Sequence, residues 1–141
     1  MIGLDTNVLA RYYTAASNKD DATIARQCEA ARQLIEGGKR LMVSKTVVLE
    51  LEWVLRGTYD VAASEMQEVF SHLLSLSQID IEDRVAVQSA VAGLGQGFDF
   101  ADALHHASYR TCRSVATFDD KGFARRAKKV GLKPGVLVPQ A

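Results

Sequence analysis

The sequence predicts an α/β protein whose parallel β-sheet is covered by helices on both faces. Short apolar runs of strand length alternate along the chain with longer segments of helical periodicity, and strands in such an order usually pair in parallel. The 141 residues, 48% apolar and 24% charged, are enough for one domain with a core of its own. We therefore expect a single domain over residues 1–141.

Each strand is predicted from a short apolar run and each helix from apolar residues spaced three and four apart. The strands are Met1–Leu4, Arg40–Val43, Gln78–Ile81, Ser114–Thr117 and Gly135–Val138. The helices are Thr6–Tyr13, Asp20–Gly37, Lys45–Arg56, Ser64–Ser75, Asp83–Leu94, Phe100–Arg113 and Lys121–Val130. Ser44 and Asp99 are expected to cap the third and sixth helices. Because sites on parallel sheets form beyond the carboxyl ends of the strands, Asp5 and the corner around Asp119 are the first candidates.

Charge is balanced overall but unevenly distributed. The chain has 17 Lys and Arg and 17 Asp and Glu, which argues against a general polyanion binder. Residues 1–109 carry 9 basic and 15 acidic side chains, whereas residues 110–141 carry 8 basic and 2 acidic side chains. The C-terminal quarter is therefore a candidate surface for a local anionic partner.

Composition favours a reduced, cytoplasmic protein. The two cysteines, Cys28 and Cys112, have neither the spacing of a zinc ribbon nor the density of a disulfide scaffold. A carboxylate at Asp5 argues against a secretory signal. The longest uncharged run, Val85–Phe98, is shorter than the roughly 18 apolar residues that a spanning helix needs.

The first acidic candidates each have a structural explanation beside a functional one. Asp5 follows an apolar strand and is equally suited to cap the next helix. Glu50 lies beside Trp53 on a helical wheel, at the border of the apolar face, where a carboxylate needs a partner, a proton or a metal. Glu52 precedes Arg56 by four residues and is explained as a solvated ion pair.

The acids of the C-terminal region have similar alternatives. Asp102 follows Asp99 by three residues, which resembles a capping box. Asp119 and Asp120 are alternative N-caps for the next helix, and only one of them can fill that role. His106 lies four residues after Asp102, so the pair could bind a transition metal, but a solvated polar face is the simpler interpretation.

Several other chemistries find no support in the sequence. It contains no Gly-x-Ser-x-Gly nucleophile elbow and no glycine-rich phosphate loop after a strand. A phosphoryl-transfer enzyme that used Asp5 as its nucleophile would want a second Asp two residues later, where the chain has Asn7.

Taken together, four motifs resemble those of the PIN-domain ribonucleases, and above all the VapC-type toxins of bacterial type II toxin–antitoxin modules. In chain order they are Leu4-Asp5-Thr6-Asn7-Val8-Leu9, Val48-Leu49-Glu50, Asp99-Phe100-Ala101-Asp102-Ala103-Leu104-His105 and Thr117-Phe118-Asp119. The resemblance covers essentially the whole chain. It implies an α/β/α sandwich with a central parallel sheet of about four to five short strands and about seven helices.

The resemblance also implies a site made of acids. Asp5, Glu50 and Asp102 match the three best-defined acids of the family, and Asp119 matches the more variable fourth, with Asp120 as a competing match. The residues that match supporting positions are Thr6, Asn7 and Thr117. His106 is a departure, because the family more often has an aliphatic residue there.

Such a cluster of carboxylates suits Mg²⁺ or Mn²⁺, since these hard ions prefer oxygen ligands and keep several waters. We expect one or two ions, held mainly by Asp5 and Asp102 with Glu50 and Asp119 assisting directly or through water. They would orient the scissile phosphate of RNA and activate a water for in-line attack.

The basic C-terminal region then becomes a candidate for binding the RNA backbone. The substrate-binding candidates are Arg11, Arg110, Arg125 and Arg126, whereas Lys128 and Lys129 are explained by the helix dipole. The implied partners are a cognate antitoxin and a second copy of the chain in a homodimer. The alternatives are a catalytically silent binding module on the same fold and an Asp-based phosphoryl-transfer enzyme.

Overall fold

The structure is a computed structural model that describes residues 1–15 and 21–140. The chain divides into two compact units, which we call the N-terminal unit (residues 1–84) and the C-terminal unit (residues 85–141).

The N-terminal unit is built on a three-stranded parallel sheet. Its strands are β1 (Ile2–Gly3), β2 (Leu41–Val43) and β3 (Ile79–Ile81), in the order β1-β2-β3. Leu41 is the register partner of Ile2 on one side and of Ile79 on the other. Since all three strands run in the same direction, the residues that follow them lie at one edge of the sheet.

The described residues of this unit form four α-helices, which are α1 (Thr6–Tyr13), α2 (Ala22–Glu36), α3 (Lys45–Thr58) and α4 (Ala63–Ser75). The first three begin at side-chain caps, provided by Asp5, Asp21 and Ser44. Helix α1 packs against α2 and α3. The expected start of α2 at Asp20 lies outside the described residues.

The core of the N-terminal unit is apolar and closely shielded from solvent. Its fully buried side chains come from all four helices and from the sheet, and include Leu9, Ile35, Leu41, Leu51, Leu55, Phe70 and Ile79. Burying a side chain of this size stabilises a fold by about 1.5–3 kcal/mol relative to leaving it exposed. This core therefore fixes the position of β1, which Asp5 follows, and of α3, which carries Glu50.

The C-terminal unit contains three helices, α5 (Arg84–Gly95, whose first residue belongs to the N-terminal unit), α6 (Phe100–Ser108) and α7 (Arg125–Val130). Its strands β4 (Ser114–Ala116) and β5 (Gly135–Leu137) form a two-stranded parallel sheet, with Val115 opposite Val136. The buried residues Phe98, Phe100, Leu104 and Phe123 supply its largest core side chains.

The predicted α/β class with parallel strands is confirmed. Among the described residues there are five strands and seven α-helices, in the predicted order and mostly within two residues of the predicted ends. No helix in this part of the chain combines the length and the apolar character that crossing a membrane would require.

Helix α6 ends five residues earlier than predicted. Its C-cap is Tyr109, whose backbone N–H bonds to the carbonyls of His106 and Ala107, so the chain tightens into turns after Ser108. The Ser108 hydroxyl also donates to the carbonyl of Leu104 at 2.7 Å, a side-chain bond that bends helices and weakens their continuation. Arg110 therefore lies in a turn and not on a helix.

Helix α7 begins differently from the prediction of Lys121–Val130. Residues Asp120–Ala124 form a π-helical turn, and regular α-helix starts only at Arg125. The Asp119 side chain caps this wide turn by accepting two backbone N–H groups. Apolar spacing cannot predict such a turn, because it depends on the hydrogen bonds of one carboxylate.

Candidate functional site

Asp5 lies at the carboxyl edge of the N-terminal sheet, two residues after β1. Its backbone is extended, and its Oδ1 accepts the backbone N–H of Thr6 at 2.8 Å. The side chain of Asp5 is exposed. The structural explanation for Asp5, an N-cap, is therefore correct, and the same carboxylate remains accessible to a ligand.

Thr6 is an unusual neighbour of Asp5. The residue is only 5% exposed, and its Oγ1 has no hydrogen-bond partner among the described residues. Buried hydroxyls nearly always have a partner, either from the protein or from bound water. Thr6 therefore offers a buried hydroxyl without a partner among the described residues next to a candidate acid. The following residue, Asn7, is exposed.

The residues after β3 build the remainder of this edge. The Glu82 carboxylate accepts the backbone N–H of Lys45 at 2.8 Å, and Asp83 forms an ion pair of 2.9 Å with the Lys45 ammonium. Both contacts tie the start of α3 to the end of β3. This role of Glu82 and Asp83 could not be predicted from local spacing, since it depends on the pairing of β2 with β3.

The two glutamates of α3 lie in environments that differ from those predicted for them. Glu50 is exposed and not at the border of the core, and Trp53 of the same helix is 78% exposed. Glu52 was predicted to be solvated, but it is 7% exposed and pairs with Arg56 at 3.6 Å. The reason is that the buried face of α3 follows Val48 at four-residue spacing, which includes Glu52.

Two predicted acids meet in the C-terminal unit. Asp102 and Asp119 line one cavity of about 190 Å³, which we call the acidic pocket. Its lining residues are Phe98, Asp99, Asp102, Asp119, Gly122, Phe123 and Arg126. Burial raises the pKa of the Asp102 carboxyl, and the nearby charges of Asp99 and Asp119 raise it further. Negative charge in this pocket is thus incompletely compensated.

Asp119, and not Asp120, is the acid that faces this pocket. Its two carboxylate oxygens accept the backbone N–H groups of Gly122 at 3.1 Å and Phe123 at 2.9 Å. Thr117 supports the corner because its hydroxyl accepts the Asp119 backbone N–H at 3.1 Å. Asp120 is exposed and is not among the lining residues.

Arg126 is the cation of the acidic pocket. Its guanidinium lies over the ring of Phe98, 6.0 Å from the centroid, and donates to the carbonyl of Gly97. Gly97 has a φ of +85°, a left-handed conformation that a side chain rarely adopts. Gly97 thus places a carbonyl that orients Arg126.

The interpretation of His106 as part of a solvated face is wrong. The residue is 5% exposed, and its Nε2 bonds to the carbonyl of Pro134 at 2.7 Å. Its ring also lies 5.9 Å from that of Phe123. His106 therefore has a structural partner on the segment before β5, whereas His105 is exposed.

The other basic candidates differ in their surroundings. Arg11 in the N-terminal unit is already engaged, since it donates to Gln27 and to Tyr59, both at 2.9 Å. Arg110 and Arg125 in the C-terminal unit are exposed.

The donor set of the acidic pocket fits a hard divalent cation. Its acidic residues offer carboxylate oxygens, and among the described residues neither Cys nor His lines it. Nowhere in residues 1–15 and 21–140 do three or more His, Cys, Asp or Glu side chains converge into a ready metal cage. An ion bound at Asp102 and Asp119 would therefore keep several of its waters, as Mg²⁺ usually does.

Fold and site together define a class: an α/β protein with parallel strands and carboxylates placed just after those strands. The PIN domain family matches residues 2–129, and the chain belongs to this family. The family predicted from the four motifs is thus confirmed, and PIN domains are typically metal-dependent nucleases. Comparisons with curated proteins and with solved structures gave no match.

Proposed function

We propose that this chain is a metal-dependent endoribonuclease that hydrolyses RNA phosphodiester bonds. The observation that carries the proposal is the placement of Asp102 and Asp119 in one pocket, where burial raises the pKa of the Asp102 carboxyl, within a PIN-family chain. Perturbed titratable groups in a cavity are characteristic of catalytic sites. The resemblance of the motifs adds Asp5 and Glu50 to the proposed catalytic acids.

Bound Mg²⁺ or Mn²⁺ would supply charge to stabilise the leaving oxygen and would lower the pKa of an attacking water. Asp102 and Asp119 would hold the ion through carboxylate oxygens. The capping bonds from Gly122 and Phe123 would keep the Asp119 carboxylate in one orientation. Arg126 would meet the phosphate of the substrate, because a guanidinium recognises phosphate through paired N–H donors.

The family match continues across residue 84, where the two units meet in sequence, and this supports the proposal of one PIN domain over residues 1–141. We further propose that the nuclease is the toxin of a type II toxin–antitoxin module, of the VapC type. An antitoxin Arg or Lys paired with these acids would exclude the metal. A homodimer is proposed on the same resemblance.

The decisive experiment incubates the purified full chain with total cellular RNA, with Mg²⁺, with Mn²⁺ or with chelator. We expect cleavage with either metal, none in chelator, and strong loss in Asp102→Asn and Asp5→Asn. The exposed Glu68→Gln is the matched control, since it removes one carboxylate charge from α4, a helix that carries none of the candidate acids. Cleavage that persisted in chelator, or in both folded Asp variants, would overturn the mechanism.

Lack of any cleavage by a folded, metal-binding protein would instead favour the silent binding module. The toxin role is tested separately by expression in bacteria. Growth arrest that depends on Asp102 and is relieved by a small protein encoded upstream would support it. Normal growth of cells that accumulate the folded parent protein would contradict it.

A further inference from the structure

A second cavity of the C-terminal unit has the opposite charge character to the acidic pocket. We call it the basic pocket; its volume is about 140 Å³. Two cations, Arg110 and Lys133, line it together with the polar residues Ser89, Gln96 and His106. In the described part of the chain no Asp or Glu is among its lining residues. Such a cavity suits an anion that can accept several hydrogen bonds.

The two pockets are neighbours because they share a wall. Phe98, only 5% exposed, lines both the acidic pocket and the basic pocket. Arg126 lies over the ring of Phe98 on the acidic side. A ligand that crosses Phe98 therefore passes from a carboxylate-rich cavity into a cation-rich one.

The basic pocket is held in shape by contacts between distant segments. The His106 ring binds the carbonyl of Pro134 at 2.7 Å, which fixes the residue directly after Lys133. Arg110 lies in the turn after α6, where its guanidinium contacts the carbonyl of Ala107 at 3.4 Å. The two cations thus approach the cavity from segments 23 residues apart that His106 joins.

We propose that the basic pocket binds a backbone phosphate of the RNA strand, next to the phosphodiester that lies at the acidic pocket. This inference rests on the proposed nuclease function. A single strand carries one phosphate for each nucleotide, so a strand held at one pocket presents further phosphates to its neighbour. The acidic pocket would then act on one phosphodiester, and the basic pocket would anchor the strand without touching the reacting atoms.

Charge explains why such an anchor is useful. Asp99, Asp102 and Asp119 repel the RNA backbone until a cation is bound. Arg110 and Lys133 offset this repulsion from a cavity that holds no carboxylate of its own among the described residues. Their contribution should appear mainly in RNA binding and in KM, because the contact is made equally before and during the reaction.

The test uses the full chain and a fluorescently labelled single-stranded RNA oligonucleotide that the parent protein cleaves. Binding is measured by anisotropy in chelator over a range of salt concentrations, and cleavage is then measured with Mg²⁺. We expect the double variant Arg110→Ala/Lys133→Ala to bind about tenfold more weakly. The slope of log Kd against the logarithm of the salt concentration should be smaller for this variant than for the parent by about 1.4, which is the contribution of two phosphate contacts to a single strand.

The matched control is Lys128→Ala/Lys129→Ala, which removes the same charge from the same unit outside both pockets. It should weaken binding far less. Arg110→Lys/Lys133→Arg keeps both charges and should retain most of the affinity of the parent protein. This variant serves as the second test if the alanine variant folds poorly. Equal losses for the pocket pair and the control pair would overturn the basic pocket as a phosphate site.

The same data separate this inference from the proposed function. If the parent cleaves RNA with Mg²⁺ but the pocket and control variants behave alike, only the basic pocket is wrong. If the parent binds RNA through Arg110 and Lys133 but never cleaves it, the phosphate site stands and the nuclease proposal fails. A parent that neither binds nor cleaves RNA overturns both.

Discussion

The Asp119 carboxylate and the Cα of Gly122 lie so close together that no side chain fits between them. A Cβ built on Gly122 would lie 2.6 Å from Oδ2 and 2.7 Å from Oδ1 of Asp119. The backbone N–H of Gly122 also donates to this carboxylate at 3.1 Å. The absence of a side chain at residue 122 is therefore a condition for the orientation of a proposed metal ligand.

Gly122→Ala should displace the Asp119 carboxylate and slow RNA cleavage by up to about 100-fold, since small misplacements of catalytic groups are costly. Overpacking should also lower the free energy of unfolding by about 1–3 kcal/mol. Gly57→Ala is the control, because nothing lies within 4 Å of its built Cβ. That substitution should keep activity and stabilise α3 by up to about 1 kcal/mol. Parent-like cleavage by Gly122→Ala would show that Asp119 need not be held in this way.

Glu50 and Glu52 should separate catalysis from stability. Glu50→Ala, on the exposed face of α3, should change the free energy of unfolding by less than about 0.5 kcal/mol but reduce cleavage about 10- to 100-fold. Glu52→Ala should destabilise the fold by about 1–3 kcal/mol, because a buried, paired carboxylate is removed. The folded protein should still cleave RNA. Urea unfolding and cleavage assays on both variants would decide, and the opposite pattern would place Glu52 in the site instead.

Asp102→Asn should stabilise the metal-free protein at neutral pH. The pKa of Asp102 is raised in the fold, so its ionisation is easier in the unfolded chain and costs stability at pH 7. The residue is only partly buried, so the gain should not exceed about 1 kcal/mol. Because burial is the largest cause of the raised pKa, the gain should persist at high salt. The free energy of unfolding is measured with urea in the presence of chelator. The control Asp120→Asn, outside the pocket, should leave it unchanged. An Asp102→Asn variant less stable than the parent would contradict the prediction.

Glu29 should titrate well below an ordinary glutamate. Hydrogen bonds from Arg32 and then Gln33 lower the pKa of this carboxyl from 4.5 to about 2. Since the pKa is lowered in the fold, the stabilisation is complete above the ordinary value and is lost as the pH falls toward 2. An NMR titration of the Glu29 side-chain carbon would measure the shift, and Arg32→Ala should return the pKa toward 4.5. An ordinary Glu29 pKa in the parent would show that the ion pair is not maintained in solution.

The architecture was predictable because the strands and helices of this chain have clear boundaries. The apolar runs before Asp5 and Ser44 predicted parallel strands, and the caps themselves predicted where α1 and α3 begin. The motifs around Asp102 and Asp119 predicted the family, which the match over residues 2–129 confirmed. These features are local, and local spacing is what a sequence displays most directly.

The errors arose at individual side chains whose environment is decided by one contact or one helix face. Glu52 is buried because α3 presents it with Val48 to the core, whereas an i,i+4 pair with Arg56 alone suggested solvent. His106 is buried because Pro134, 28 residues later, accepts its hydrogen bond. The π-helical turn after Asp119 depends on two backbone bonds to one carboxylate. Only the His106 contact joins distant segments, whereas Glu52 shares the buried face of α3 with Val48, a feature that the ion pair with Arg56 outweighed in the prediction.

The hydrogen bond between His106 and Pro134 also determines where this protein can be shortened. The family match ends at residue 129, and a chain cut there would lose Pro134 and the whole of β5. The ring of His106 would then be left without its acceptor, and β4 would lose its hydrogen-bonded neighbour. A domain boundary taken from family similarity alone would therefore yield a chain with an exposed strand edge, which favours aggregation. Pro134 and β5 therefore belong to the folded C-terminal unit, although they lie beyond the family match.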